Sequence, residues 1–196
     1  MERLKLICET EGCTEQAPIH VFWAEQRRSG SEKHYCEQHV KQLEYFRTEG
    51  IGKGRSASLS GARCFDIEVL FITENDDVNA IYLHEVGGPR VISIGIGIFE
   101  ATSIARQLQQ LQTPRPLTHA VMLNAIRELG GQVEDVVIHK YEDHTYFADL
   151  RVRQNGRIRL LDMRPSDAIT VALIADCPMF LTEDLLAQID AECVIP

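Results

Sequence analysis

Three cysteines and a histidine near the start of this chain are the residues best suited, by type and spacing, to bind a metal. Cys8 and Cys13 form a C-x4-C pair, and after a long gap Cys36 and His39 form a C-x2-H pair. Two close pairs of soft donors suit a tetrahedral Zn²⁺, with each pair forming a knuckle and the chain between them making a hairpin-like excursion. Four protein ligands close the coordination sphere, so the expected metal is structural rather than catalytic. His20 and His34 are alternative fourth ligands, but they lack the tight C-x2-H spacing. Reduced cysteines in a loop are the competing reading. A redox dithiol is disfavoured because the segment has no C-x-x-C. Few apolar residues are present here, so a metal would supply stability that a small core cannot. Val40 to Phe46 fits a short amphipathic helix closing the module.

A second set of polar residues interrupts apolar stretches farther along. Glu100 stands at the start of one helical pattern, Arg115 to His119 (RPLTH) precede a second, and Asp162 to Ile169 (DMRPSDAI) open a third. In the last of these, Pro165 and Ser166 suit the opening of a helix. Asp167 then falls in its first turn, where the macrodipole stabilises a carboxylate.

The elements that must carry these residues follow from periodicity. Alternation predicts strands at Asp66–Thr73, Ala80–Val86 and Arg90–Ile94, with Gly87-Gly88 as a turn. Ile98–Gln112 has helical spacing. A helix is expected from an N-cap at Thr118, with Leu117 and Met122 as a hydrophobic staple, to the stop at Gly130-Gly131. Strands follow at Val133–Tyr141, Thr145–Arg153 and Arg157–Asp162, with Asn155-Gly156 as a hairpin turn. Ala168–Ala175 is nearly all apolar and reads as a helix buried on most sides. A short segment at Met179–Leu181 leads to a last helix capped by Thr182. Sliding the chain by 67 residues lays Arg90 on Arg157, Glu100 on Asp167, Ala101 on Ala168 and Ala105 on Ala172.

The expected fold is therefore α+β, with duplicated β3-α units forming one compact domain preceded by a small zinc-binding module. The expected boundaries are 1–49 for the module, 50–62 for a flexible Gly/Ser linker, and 63–196 for the main domain. The glycines of the linker do not make a phosphate loop, because no strand precedes them and the P-loop lysine spacing is missing.

Charge is unevenly placed. Residues Met1 to Ser60 carry 9 basic and 9 acidic side chains, whereas Gly61 to Pro196 carry 11 basic against 20 acidic and hold the whole net charge of −9. An acidic domain gains nothing from bulk phosphate attraction, which argues against a non-specific DNA binder. Arg27, Arg28 and Lys33 are the one basic cluster of the N-terminal part, readable as a partner-recruiting patch or as a solvated loop. No apolar run approaches the roughly 18 residues of a membrane span. The start, MERLKLICETEGC, lacks the features of a signal peptide, so the expected location is the cytoplasm. The remaining cysteines, Cys64, Cys177 and Cys193, lie among apolar neighbours and read as small hydrophobes.

The motifs R-P-S-D-A-I (Arg164 to Ile169), R-P-L-T-H (Arg115 to His119) and IGIGIFEATSIA (Ile94 to Ala105) resemble the bifunctional nuclease domain family, over roughly Cys64 to Ile189. The resemblance implies an enzyme that degrades RNA and DNA. Where the family usually continues T-H-D-L, Ala120 and Val121 follow His119, so one carboxylate is missing. In the enzymatic reading Glu100, Asp162 and Asp167 converge and hold Mg²⁺ or Mn²⁺. Arg164 and Arg115 neutralise transition-state charge, and His119 acts as base or acid on a single-stranded or mixed nucleic acid. In the alternative reading the same groups are internal ion pairs and helix caps of a non-catalytic binding, regulatory or assembly module. A homodimer is compatible with sheets whose outer strands need covering.

Overall fold

Between the two cysteine pairs the chain folds back on itself as a ribbon. In the computed structural model, which describes residues 7–25, 29–40, 57–73 and 79–192, β1 (Ile19–Glu25) and β2 (Ser29–Tyr35) form an antiparallel hairpin. A helical turn, α1 (Glu37–Val40), follows and carries His39. Arg27, Arg28, most of the Val40–Phe46 segment, the first part of the Gly/Ser stretch and Cys193 lie outside the described residues.

The chain divides into two compact units. One takes Met1–Gly52, Ile67–His84 and Pro89–Gln110; the other takes Lys53–Asp66, Glu85–Gly88 and Leu111–Pro196. Strand β3 (Ala62–Thr73) runs through both.

In the first unit, the ribbon is hydrogen-bonded to the main sheet. Residues Ile19–Trp23 of β1 pair antiparallel with Val69–Thr73 of β3. Strand β4 (Asn79–Glu85) pairs with β3 and with β5 (Val91–Ile96). Helix α2 (Ile98–Leu108) packs on β1. Because side chains alternate across a strand, the ribbon has two different faces. Val21, with Ile19 and Trp23 at its sides, packs with Cys8, Ala17, Tyr35, Cys36, Val69 and Phe71. His20, Phe22 and Ala24 belong to the other face. Helix α2 buries Ala101, Ile104, Ala105 and Leu108. It ends at Leu108 rather than Gln112, because Gln110 turns to a left-handed conformation at φ 54°.

Glu68 is a charged-type residue buried in this interior. It is 5% exposed, and its Oε2 meets no hydrogen-bond partner among the described residues. Burial pushes its carboxyl above the usual range. A raised carboxyl favours the fold at low pH, and that contribution is lost as pH rises through the folded-state value. Glu68→Gln is therefore expected to stabilise the chain by about 1 kcal/mol at pH 8, with the gain shrinking towards pH 4. Urea midpoints at the two pH values check this, and an equal effect at both would refute it.

In the second unit, β9 (Met179–Thr182) is central. It pairs antiparallel with Ala62–Cys64 of β3 and parallel with Val136–Ile138 of β6 (Gln132–Glu142). Strands β7 (Thr145–Gln154) and β8 (Arg157–Met163) extend the sheet antiparallel. The Asn155-Gly156 turn has φ of 50° and 75°, the primed geometry that this dipeptide favours in hairpins. Helix α3 (Thr118–Glu128) packs on α4 (Pro165–Ala175) and on β6, and α4 packs on β6 and β7. The last helix, α5 (Glu183–Glu192), lies on β6 and β9. Thr182 caps it, its Oγ1 accepting the Leu185 amide hydrogen at 3.3 Å.

The mixed α+β class holds, with strand-strand-strand-helix order seen twice, as β3-β4-β5-α2 and β6-β7-β8-α4. Helix α4 begins at Pro165, as the Pro165-Ser166 opening suggested and ahead of the apolar run from Ala168, since proline's missing N–H is harmless in the first turn. One helix start differs from the sequence reading. The N-cap of α3 is Leu117, and Thr118 is already helical with no side-chain cap.

Candidate functional site

Two constellations bring together residues named from the sequence. The first lies on the Val21 face of the ribbon, where Cys8, Cys13, Cys36 and His39 bring their donor atoms within 4.8 Å of one another. His39 Nδ1 is 3.5 Å from Cys8 Sγ and 3.3 Å from Cys36 Sγ. Tetrahedral Zn²⁺, with bonds of about 2.3 Å to sulfur and 2.0–2.1 Å to nitrogen, sets such donors about 3.6 Å apart. The donor set and its spacing therefore fit a metal. Burial pushes the Cys8 thiol up, but hydrogen bonds with Thr10, the Cys36 backbone and His39 outweigh it and bring it down to about 6. The β1–β2 ribbon closes the gap between the pairs, and the bridge Ile7↔Gln16 holds the Cys8 end. This is a Cys3His-like metal-binding cluster.

The second constellation stands at the starts of α3 and α4. Arg164 is the N-cap of α4, and Asp167 sits in its first turn. Arg164 folds back so that Nε donates to Asp167 Oδ2 at 2.7 Å and Nη2 to Oδ1 at 3.2 Å. His119, the second residue of α3, places Nε2 3.0 Å from Asp167 Oδ1. Packing of α3 on α4 brings these residues together across 48 positions of sequence. Burial pushes the Asp167 carboxyl up, yet hydrogen bonds and charge from Arg164 and His119 hold it below the usual range. Asp167 is thus an anion at neutral pH. When His119 Nε2 donates to it, the ring's other nitrogen is left with a lone pair. The Arg164 side chain is 66% exposed, so an incoming anion can reach it.

The other sequence candidates sit differently. Asp162 is exposed on β8, directly opposite Asp149, whose carboxylate pairs with His139 at 3.4 Å. Arg115 is exposed on the connection into α3, and its carbonyl accepts the Thr113 hydroxyl at 2.7 Å. Glu100 lies in the first turn of α2, in the other compact unit. Its Oε2 is 2.5 Å from where a Cβ on Gly97 would stand, so glycine at the N-cap leaves room for it.

Among the described residues, no grouping of metal-type donors includes Asp162 or Asp167. Both oxygens of Asp167 are engaged by Arg164 and His119. The Arg164 guanidinium donates to both of these oxygens, and a fixed cation that cannot itself be a ligand opposes a magnesium or manganese ion on Asp167 in this arrangement.

The fold and these sites define an α+β protein with a metal-binding cluster at its N-terminal end and a His–Asp–Arg constellation in its second unit. Residues 81–193, more than half of the chain, match the family described as the Bifunctional nuclease domain, and the chain belongs to that family. It is also similar to uncharacterized proteins of Mycobacterium tuberculosis strains CDC 1551 / Oshkosh and ATCC 25618 / H37Rv. Each is 36% identical over 108 residues. The match covers 55% of this chain and 64% of each relative's length. The cysteine cluster lies outside the family match.

Proposed function

We propose that this protein is a phosphodiesterase that cleaves RNA and DNA, with His119, Asp167 and Arg164 at the reacting centre and a structural zinc held by Cys8, Cys13, Cys36 and His39. The observation that carries the reading is the His119–Asp167 contact of 3.0 Å beside an accessible guanidinium, within a nuclease-family domain. Asp167 orients the imidazole and stabilises its charged form. His119 takes a proton from water as the water oxygen bonds to phosphorus, then delivers it to the leaving oxygen as the P–O ester bond breaks. Arg164 neutralises the charge gathering on the phosphoryl oxygens, and Arg115 offers a second cation to the strand. No step is routed through Glu100, Asp162 or a magnesium or manganese ion.

The test is cleavage of single-stranded RNA and DNA by the full chain in Mg²⁺, Mn²⁺ and EDTA, beside His119→Ala. Cleavage that survives brief EDTA treatment and falls by about 10²-fold or more in the variant supports this reading. Cleavage that requires added Mg²⁺ or Mn²⁺ would return a metal to the site. Equal cleavage by both proteins would remove His119 from the chemistry.

A non-catalytic binding or regulatory module is the second reading, favoured by the way His119 and Asp167 brace the starts of two packed helices. A folded chain that cleaves neither substrate would establish it. We also place the protein in the cytoplasm. The two β3-α runs are read as a duplication, supported by helices α2 and α4, whose bounds differ by 67 residues at both ends. Leu160 and Leu161, exposed on successive positions of the outer strand β8, support a homodimer.

A further inference from the structure

The ribbon's other face carries a second set of metal-type donors. His20 and His34 stand directly opposite one another on β1 and β2, and Glu32 lies two residues from His34 on the same face. Their rings meet edge to face with centroids 4.9 Å apart. Glu32 Oε1 is 3.0 Å from His20 Nδ1 and 3.3 Å from His34 Nε2, and all three donor atoms lie within 4.8 Å of one another. Tetrahedral bonds of about 2.0–2.1 Å to nitrogen and oxygen would set such donors about 3.3–3.4 Å apart.

Two of the atoms that do not converge are tied down from outside. His34 Nδ1 is 2.9 Å from Glu9 Oε1, which also accepts the His34 amide hydrogen at 3.0 Å. Glu32 Oε2 accepts from Gln109 Nε2, at the end of α2, at 2.6 Å. A histidine braced by a carboxylate on its far nitrogen, and a carboxylate braced on its far oxygen, are the supports that orient metal ligands. The three side chains are mostly buried, at 17%, 29% and 20% exposure.

We infer that His20, Glu32 and His34 bind a second divalent ion of the zinc type, through two imidazole nitrogens and one carboxylate oxygen, leaving a coordination position open to water. Two imidazoles and a carboxylate select a borderline transition metal rather than Mg²⁺ or Ca²⁺, which prefer all-oxygen sets. The ribbon would then hold one ion on each face, a closed sulfur-rich site and an open nitrogen–oxygen site.

Titration of the reduced, chelator-stripped full chain with Co²⁺ tests this. Two equivalents are expected. One should show thiolate-to-cobalt charge transfer in the near ultraviolet, and the other only weak visible bands. Glu32→Gln and His20→Ala should each keep the thiolate signal and lose the other equivalent, by about 100-fold or more in affinity. Gln109→Leu, which leaves the ribbon's own residues in place, should weaken only that equivalent, by about 10-fold. A wild-type chain that saturates at one thiolate-bound ion overturns the inference, as does a Glu32→Gln chain that still binds two. A single ion without thiolate character, lost in Glu32→Gln, would uphold it while removing the cysteine site. If Glu32→Gln loses both signals, the wild-type stoichiometry decides.

Discussion

Asp167→Asn is expected to slow cleavage of single-stranded RNA and DNA by about 10²–10⁴-fold while the chain stays folded. The change keeps the shape of the side chain and removes its charge. An asparagine can still accept one hydrogen bond in the first turn of α4, so the helix start is largely preserved. What it cannot do is serve both partners as the carboxylate does, taking Arg164 Nε on one oxygen and His119 Nε2 on the other. If its amide nitrogen faces His119, the imidazole must present a lone pair at Nε2. The proton-accepting nitrogen then points the wrong way. The measurement is the single-turnover cleavage rate of wild type and variant from parallel preparations, with circular dichroism as the control for folding. The bracing-only reading expects the opposite: a lower melting temperature, and no cleavage in either protein to lose. An Asp167→Asn chain that melts normally and cleaves normally would exclude both roles.

Loss of the cysteine-bound metal is the second large effect. Cys36→Ser should release about one equivalent of zinc and lower the melting temperature by on the order of 10 °C, since several kcal/mol are at stake at about 2–4 °C each. The reason is positional. Cys8 and Cys36 are both buried in the cluster formed with Val21, Val69 and Phe71. Without the ion, that interior must hold several thiols and an imidazole with nothing to join them. Backbone pairing of β1 with β3 is then left to hold the ribbon, and that pairing is expected to fray. Amide hydrogen exchange should accelerate across β1 and β2 far more than across β7 and β8. Elemental analysis showing no zinc in the wild-type chain would end this expectation at once.

Much of the second unit was legible because its local signals agree with its tertiary needs. Asn155-Gly156 names its own turn, and the unbroken apolar run of α4 states that the helix is surrounded. In the first unit β3, β4, β5 and α2 were legible too, but the ribbon was legible only as a hairpin-like excursion between the cysteine pairs. Val21, Phe22 and Ala24 are all buried, so β1 lacks the alternation that marks a strand with one wet face. Burial on both faces erases the period that sequence reading relies on. The cysteine spacing stood out because ligand pairs are close in sequence. The His20–Glu32–His34 group did not, since only the register that sets His20 opposite His34 brings it together. The motifs of the second unit similarly named His119, Arg164 and Asp167, but their contact depends on α3 lying against α4. Asp162 shares the DMRPSDAI segment with Asp167, but it stands exposed on β8 opposite Asp149.

The family match begins at Ile81, within β4, so the ribbon and the strand it covers lie upstream of the shared core. Residues Val69–Thr73 of β3 are a run of apolar and β-branched side chains whose outward backbone groups are satisfied by β1. If a chelator loosens the ribbon, those groups become a template for the same segment of another chain. Metal supply would then set solubility before it touched catalysis.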